Sequence, residues 1–595
     1  MFHGFRFADR VAESGISFES RIVDDAGKVY KKVQYDHGTG LAAADVDGDS
    51  LPDLYFVTQL GSNELWKNLG GGRFADLTDS AGLRMPDAIA VAASFADTDN
   101  DGDPDLFVTT VRNGNRFFEN LGLGKFRDAT AQAGVGYVGH SSGAVFFDYD
   151  GDGLLDLFVA NVGVYTTDSI GPGGYHIGLP DAFHGHTHPE RSEASILYRN
   201  LGGNRFKDVS SETGLVDKSW SGDAGIIDAN DDGRPDLYVL NMLGANHLWL
   251  NQGGKRFTDA TARYFPRTPW GAMGMKVFDY DGDGRLDLFV TDMHSDMWTN
   301  IPTGDLAAES RKSDTTSPQI SPRDFPTGMK DFVFGNALFA NRASGFVEVS
   351  DSLGAENYWP WGPSVDDVNA DGWDDVLIAS SMNFPFRYHP NALLLNEQGK
   401  RFLHGEFLVG LEPRPNGVTE KVWFELECNG ADRENMACRV CMRPGASEPE
   451  CQRKTAQGHL TMMGTLGTRS SVVLDLDKDG DLDIVTNEFY GKPQVLLSDL
   501  AQGRPVHAIT VRLRGTRSNR QGIGARVTVV LPDGRRILKW MDGKSGYLSQ
   551  SDLPLYFGLG DADRAASIEV VWPSGQRQTL AGPHPAGKAV EAVEP

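Results

Sequence analysis

The sequence has little cysteine, a shortage of positive charge and no long apolar run. Only four of its 595 residues are cysteine, all between 428 and 451, so disulfides cannot staple the whole fold. Lys and Arg number 56 against 82 Asp and Glu, a formal net charge of −26. That sign argues against a nucleic-acid backbone or an anionic membrane surface as partner. No apolar run reaches the ~18 residues that a transmembrane helix needs. No G-x-S-x-G, H-E-x-x-H or phosphate-binding loop stands at a credible place. The chain is also too long for one ordinary core, which stops growing near ~250–300 residues, so several units or a repeat are expected. At 40% hydrophobic residues it can bury a core, and its 70 glycines fit many turns.

The acid is clustered. Seven segments of one pattern hold most of the excess: DVDGDSLPD, DTDNDGDPD, DYDGDGLLD, DANDDGRPD, DYDGDGRLD, DVNADGWDD and DLDKDGDLD. Each places Asp or Asn at positions 1, 3, 5 and 9. The residues are Asp45, Asp47, Asp49 and Asp53; Asp97, Asp99, Asp101 and Asp105; Asp148, Asp150, Asp152 and Asp156; Asp228, Asn230, Asp232 and Asp236; Asp279, Asp281, Asp283 and Asp287; Asp367, Asn369, Asp371 and Asp375; Asp475, Asp477, Asp479 and Asp483. Six loops carry Gly at position 6, and the first has Ser50. Oxygens at alternating positions of a tight loop can converge on one hard cation, and Ca²⁺ accepts six to eight flexible oxygens. The expected cofactor is therefore Ca²⁺, up to seven ions. Solvated Asp-Gly turns are the plainer alternative, which seven loops in register disfavour. The twelfth-position Glu of an EF-hand is missing. The 26 Asp at these positions match the charge deficit, so the rest of the chain is near neutral.

The flanks define the repeat. A small or apolar stretch precedes each loop, as in GAVFFD. A β-rich run follows it, as in DLFVA; then comes a run ending near Asn, as in ILYRN, a Gly-rich turn and a fourth run such as RFKDVS. Four strands per unit, repeated in a ring, make a β-propeller. Loop starts are 52, 51, 80, 51, 88 and 108 residues apart, a period near fifty with three insertions. The seventh unit lacks its F-x-D run, and RFADRVAESGI at residues 6–16 matches RFADLTDSAGL at 73–83. The first strand of the chain is therefore expected to complete the last blade, removing exposed edges.

These loops and strands resemble the FG-GAP/VCBS repeats of integrin alpha-subunit propellers. GTRSNRQGIGARVTV, GYLSQSD, LYFGLGD and VVWPSGQ resemble an ASPIC/UnbV domain. Together they resemble the cartilage acidic protein family and its bacterial relatives. The resemblance implies an all-β fold: a seven-bladed integrin-alpha-like propeller with calcium loops over residues 1–500, then a small β domain over 501–595. It implies an extracellular, adhesive role and carries over no catalytic residue. Read from its own residues, the tail has strand pairs around Pro-Asp-Gly and Pro-Ser-Gly turns. Arg512, Arg514, Arg517, Arg520 and Arg526 make its start basic, which suits surface charge or docking onto the acidic propeller.

In an up-and-down blade the loop between strands 1 and 2 and the turn between 3 and 4 share a face. Insertions near 161–195, 292–336 and 405–463 should then cover the opposite face, where ligands are expected. His140, Ser141, Trp220, Trp270, Met273, Trp359, Trp361 and Arg469 should lie at the channel mouth there, as a ligand site or as packing beneath the insertions. His176, His184, His186 and His188, with His294 from another loop, form a possible second, transition-metal site; a polar surface loop is the plainer reading. Cys428, Cys438, Cys441 and Cys451 are spaced C-x9-C-x2-C-x9-C. Two disulfides of open connectivity fit better than zinc or a redox pair, and they imply an oxidising compartment. MFHGFRFADR lacks the apolar stretch of a signal peptide, so a leader is expected to have been removed. The expected function is a secreted, periplasmic or cell-surface calcium-binding module for an extracellular protein, glycan or small ligand. The alternative is a secreted metal-dependent enzyme on the insertion face.

Overall fold

A computed structural model describes residues 4–23, 38–171, 174–179, 182, 185, 188–293, 332–381, 388–447 and 449–595. The β-branched and aromatic runs that flank each acidic loop are strands, and they pair into seven antiparallel units of four strands, six of them separate sheets and one, the second, extended to six strands by a C-terminal hairpin. In chain order these are called A to G. Their first two strands are Leu41–Ala44 and Asp53–Phe56 in A, Ala90–Ala96 and Asp105–Thr110 in B, Ser141–Phe147 and Asp156–Asn161 in C, and Ser221–Ile227 and Asp236–Asn241 in D. E has Ala272–Phe278 and Asp287–Asp292, F has Pro360–Asp366 and Asp375–Ser380, and G has Thr468–Leu474 and Asp483–Glu488. The first strand of each sheet lies against the first strand of the next, and that of G returns to that of A. The fold is thus an all-β, propeller-like ring.

Burial explains the patterning. The first two strands are almost wholly buried, so they read as continuous apolar or small-residue runs. The third strands mix buried and half-buried positions, as in Arg116–Asn120 of B. After the fourth strand of A, B, C and E a single helical turn ends on a left-handed glycine, as at Thr78–Ala81 with Gly82 at φ 83°. The N-terminus repeats this device. Phe7–Asp9 pairs antiparallel with Leu496–Ser498 as the outer strand of G, and Val11–Ser14 ends on Gly15 at φ 85°. Sheet G is therefore closed by the start of the chain.

The C-terminal segment adds two sheets. One pairs Leu555–Gly558, Ala508–Arg514 and Lys588–Val593; the other pairs Arg536–Trp540, Arg526–Val530, Arg564–Val571 and Arg577–Pro585. Both strand pairs read around Pro-Asp-Gly and Pro-Ser-Gly are present. Between them the chain leaves this unit and enters the axis of the ring. Lys544–Gly546 and Ser549–Gln550 form a small hairpin, and Ser549–Gln550 pairs in parallel with Ala93–Ser94 of B.

Residues 542–552 reach the first strand of every sheet. Leu41 N–H donates to Ser549 Oγ (2.7 Å) and Ala43 N–H to Ser551 Oγ (2.9 Å) in A; Ala93 N–H donates to Leu548 O (3.2 Å) in B. Gln550 bonds both backbone groups of Phe146 in C, at 2.8 and 3.0 Å. Lys544 pairs with Asp223 in D, Lys276 of E donates to Asp542 (2.6 Å), and Ser364 of F donates to Ser545 O (2.8 Å). At G the approach requires glycine: a Cβ on Gly546 would lie 2.3 Å from Ser471 O. The ring therefore has a polar, hydrogen-bonded axle.

Candidate metal centres on the loop face

Each acidic loop joins the first and second strands of a sheet, and the same hydrogen bonds recur. The position-9 carboxylate is tied at both oxygens. In B, Asp105 Oδ1 accepts Asn120 N–H (2.8 Å) and Oδ2 accepts Thr98 N–H (3.3 Å); in D, Asp236 accepts Asn251 N–H (2.7 Å) and Ala229 N–H (3.0 Å). The position-1 carboxylate caps the turn, as where Asp148 accepts the N–H groups of Asp152 (3.2 Å) and Gly153 (2.9 Å). The position-5 carboxylate accepts the position-7 N–H, as from Leu154 to Asp152 (3.0 Å). These Asx-type bonds fold nine residues so that alternate side chains converge.

Position 3 is different. Asp47, Asp99, Asp150 and Asp281 each keep Oδ1 buried with no hydrogen-bond partner. Around them, carboxylate oxygens lie within 4.8 Å of one another in Asp45–Asp47–Asp53, Asp97–Asp99–Asp101, Asp148–Asp150–Asp156, Asp279–Asp281–Asp287 and Asp475–Asp477–Asp483. Burial, with added repulsion from neighbouring carboxylates, raises Asp97 and Asp279 to about 7 and Asp287 to about 8. Arg199 pairs with the Oδ2 atoms of Asp150 (2.8 Å) and Asp152 (3.5 Å), Arg342 takes the same places on Asp281 and Asp283, and Lys67 pairs with Asp47 and Asp49. These side chains meet the outer oxygens and leave the inner one unpartnered. The donor sets are all oxygen on irregular backbone, which suits Ca²⁺ better than a thiolate- or imidazole-seeking ion.

Position 6 turns left-handed in every loop. Gly102 has φ 107° and Gly153 φ 87°, and Ser50 adopts φ 69° in the same place. The Asn ending the third run has a role that the repeat showed without explaining. Asn120 Nδ2 donates to Val46 O of the preceding sheet (3.0 Å), and Asn200, Asn251, Asn396 and Asn68 make the matching bond to Thr98, Tyr149, Tyr280 and Leu476. Each bond ties one sheet to the loop of its neighbour. The recurrence of Asn at the end of the third run was the available signal.

The C-terminal unit lies over this loop face. Arg520 N–H donates to Asn100 (2.8 Å), Arg526 reaches Asp228 and Asp231, and Arg535 donates to Asp371 O (3.3 Å). Of the other basic residues at its start, Arg512 pairs with Asp552 (3.3 Å) and Arg514 with Glu591 (3.2 Å). A cavity of about 900 Å³ lies beneath the unit, lined among others by Asp45, Asp475, Lys539 and Trp540.

At the other end of the channel the aromatic cluster is packed. His140, Ser141, Trp220, Trp270, Met273, Trp361 and Arg469 are all buried, and Trp359 is half-buried. The axial hairpin fills the mouth they surround: Tyr547 stands edge-on to Trp361 (5.4 Å), and the Arg469 guanidinium lies 3.3 Å above the Trp361 ring. His140 Nε2 meets Thr166 Oγ1 (2.7 Å) and its Nδ1 meets Glu193 (3.2 Å), which fastens the first insertion to sheet C. His176 Nδ1 lies 3.0 Å from Thr167 O and His188 Nδ1 lies 3.0 Å from Glu190. His184, His186 and His294, called as metal ligands with them, lie outside the described residues. The cysteines pair in sequence, Cys428 with Cys438 and Cys441 with Cys451, and all four are buried in the third insertion.

Comparison with family models agrees with the repeat and with the C-terminal unit. A family model described as FG-GAP-like repeat matches residues 45–108, 97–159 and 228–290, and one described as ASPIC and UnbV matches 515–594. Cartilage acidic protein 1 of Mus musculus is 24% identical over 571 residues, covering 90% of this chain and 70% of that protein. The Xenopus tropicalis protein of that name is 29% identical over 40% of this chain and 38% of its own length. The Homo sapiens protein is 31% identical over 40% of this chain and 37% of its own length. Among solved structures, the V. cholerae biofilm matrix protein Bap1 gives a TM-score of 0.30 at 10% identity, with 97% of this chain and 62% of that chain covered. The exotype rhamnogalacturonan lyase YesX gives a TM-score of 0.32 at 12% identity, with 62% of this chain and 56% of that chain covered. The chain carries FG-GAP-like repeats and a C-terminal ASPIC and UnbV domain, and it is a distant homologue of cartilage acidic protein 1.

Proposed function

We propose that the chain is an extracellular calcium-binding propeller that serves as a binding or adhesion module. The observation that carries the calcium reading is the buried, unpartnered Oδ1 of Asp47, Asp99, Asp150 and Asp281, each beside further aspartates. Leaving such an oxygen bare costs about 1–3 kcal/mol, and more when it is charged; a cation at that point removes the cost and the repulsion together. Asp45, Asp47 and Asp53, with their counterparts in the other clusters, would hold the ion. It supplies positive charge and fixes the loops; the side chains orient it through their own hydrogen bonds.

The two buried disulfides support an oxidising, extracellular setting. Among the described residues no helix is long and apolar enough to cross a membrane. We assign residues 1–500 to the propeller and 501–595 to the ASPIC and UnbV unit. The unit occupies the loop face and its hairpin the axis. The face bearing the insertions, away from the loops, is then the proposed surface for a protein, glycan or small ligand.

The test is thermal unfolding of the full chain across a Ca²⁺ titration. Binding to the native state alone stabilises it by about 2.7 kcal/mol per site at a hundred times Kd. The melting temperature should rise with Ca²⁺ and fall sharply in excess EGTA. An identical melt in EGTA and in millimolar Ca²⁺ would sink the proposal.

A further inference from the structure

The loop of sheet D departs from those of A, B, C, E and G in having Asn at position 3, a feature shared with F at Asn369. Its position-3 residue is Asn230, whose Nδ2 donates to Asp232 Oδ2 (3.0 Å) and whose Oδ1 accepts Asp232 N–H (3.2 Å). The side chain thus spends its polar groups inside the loop, and no oxygen there is buried and unpartnered. A cation already reaches this loop from outside the ring. Arg526 places Nη2 2.8 Å from Asp228 Oδ2 and 2.7 Å from Asp231 Oδ1, with its guanidinium 5.7 Å over the Trp540 ring. The Asp228 side chain is 1% exposed.

The basic side chains at the loops of A, C and E are not equivalent to this one. They come from the sheet's own third-strand region and take the outer oxygens of positions 3 and 5, as Arg199 does on Asp150 and Asp152. They leave the inner oxygen bare. In D the residues on either side of the third strand's Asn251 are Leu250 and Gln252, and the cation arrives instead from the C-terminal unit onto position 1, at 2.8 Å where Arg520 stands 3.7 Å from Asp97 of B.

We propose that Arg526 takes the place of a divalent cation in the loop of sheet D, which is a socket for the C-terminal unit and not a metal site. The inference rests on the calcium reading of the other loops. One guanidinium brings a single positive charge to Asp228 and Asp231. It also forms two charge-assisted bonds that a bound ion would have to displace.

Native mass spectrometry of the full chain in saturating Ca²⁺ tests it. Asp228→Asn should leave the number of bound ions unchanged, and Arg526→Gln together with Asn230→Asp should add one. A count that falls by one in Asp228→Asn, or stays fixed in the double variant, overturns the proposal. Should the double variant fail to fold, Asp228→Asn alone decides. A wild-type chain that binds no Ca²⁺ defeats the calcium reading itself and this inference with it; a count set by the other loops, but altered by Asp228→Asn, defeats this inference alone.

Discussion

Lys544 of the axial hairpin and Asp223 of sheet D form an ion pair whose side chains are 4% and 0% exposed. Lys544 also donates to Ala224 O (3.2 Å), and Asp223 accepts Ala224 N–H (2.9 Å). Burial pushes the Asp223 carboxyl up, and the Lys544 charge opposes it. Removing one partner strands the other charge away from water, at a cost of about 3–5 kcal/mol. Lys544→Met should therefore lose that much stability in urea unfolding, and adding Asp223→Asn should recover a large part. A loss under about 1 kcal/mol would mean that the axis is wet.

Ser50 stands where the other six loops have glycine, at φ 69°. A residue with a Cβ pays roughly 1–2 kcal/mol for this conformation. Ser50→Gly should stabilise the chain by about 1 kcal/mol in denaturant melts at fixed Ca²⁺. A destabilised variant would show that the Ser50 hydroxyl contributes more than its backbone strain costs.

Asp217 and His247 give a pH dependence separate from the loops. Burial alone would raise Asp217, but the His247 Nδ1 contact (2.8 Å), Ser219 N–H (2.9 Å) and Trp249 Nε1–H (3.1 Å) outweigh it and hold the carboxyl at about 2. Burial lowers His247, and Asp217 more than reverses that, so the imidazole is raised. The depressed carboxyl contributes stability above its ordinary ~3.9, lost as pH falls toward about 2. The raised imidazole contributes stability below its ordinary ~6.5, lost as pH rises through its folded value. The pair is strongest between about pH 4 and 6.5. The stability difference between wild type and His247→Gln should be about 1.5 kcal/mol at pH 5 and smaller at pH 8. Equal differences at both pH values would rule the pair out.

The sheets and their loops were legible because the signals are local. Nine residues carry a whole loop, and RFADRVAESGI shows the closing strand by matching RFADLTDSAGL. The axial hairpin was not legible. GKSGYLSQSD has no hydrophobic period, and its partners lie hundreds of residues away, as with Gln550 and Phe146. Many of its bonds go to backbone groups, which any sequence offers, and its two ion pairs join residues far apart in the chain. The same gap affects the tryptophans at the channel mouth: their convergence was readable from the repeat, but Tyr547 filling the space beside Trp361 was not. Arg526 was visible as part of a basic stretch, while its partner Asp228 could be named only from the fold.

The axial hairpin also sets an order of events. The groups that satisfy Asp223, Leu41 N–H and Phe146 N–H belong to residues 544–550, which follow every sheet of the ring along the chain. A growing chain can form single sheets, but their axial polar groups face water until the hairpin that follows them is made. Insertion of that hairpin, not the pairing of the last sheet, is then the step that shuts water out of the ring's axis.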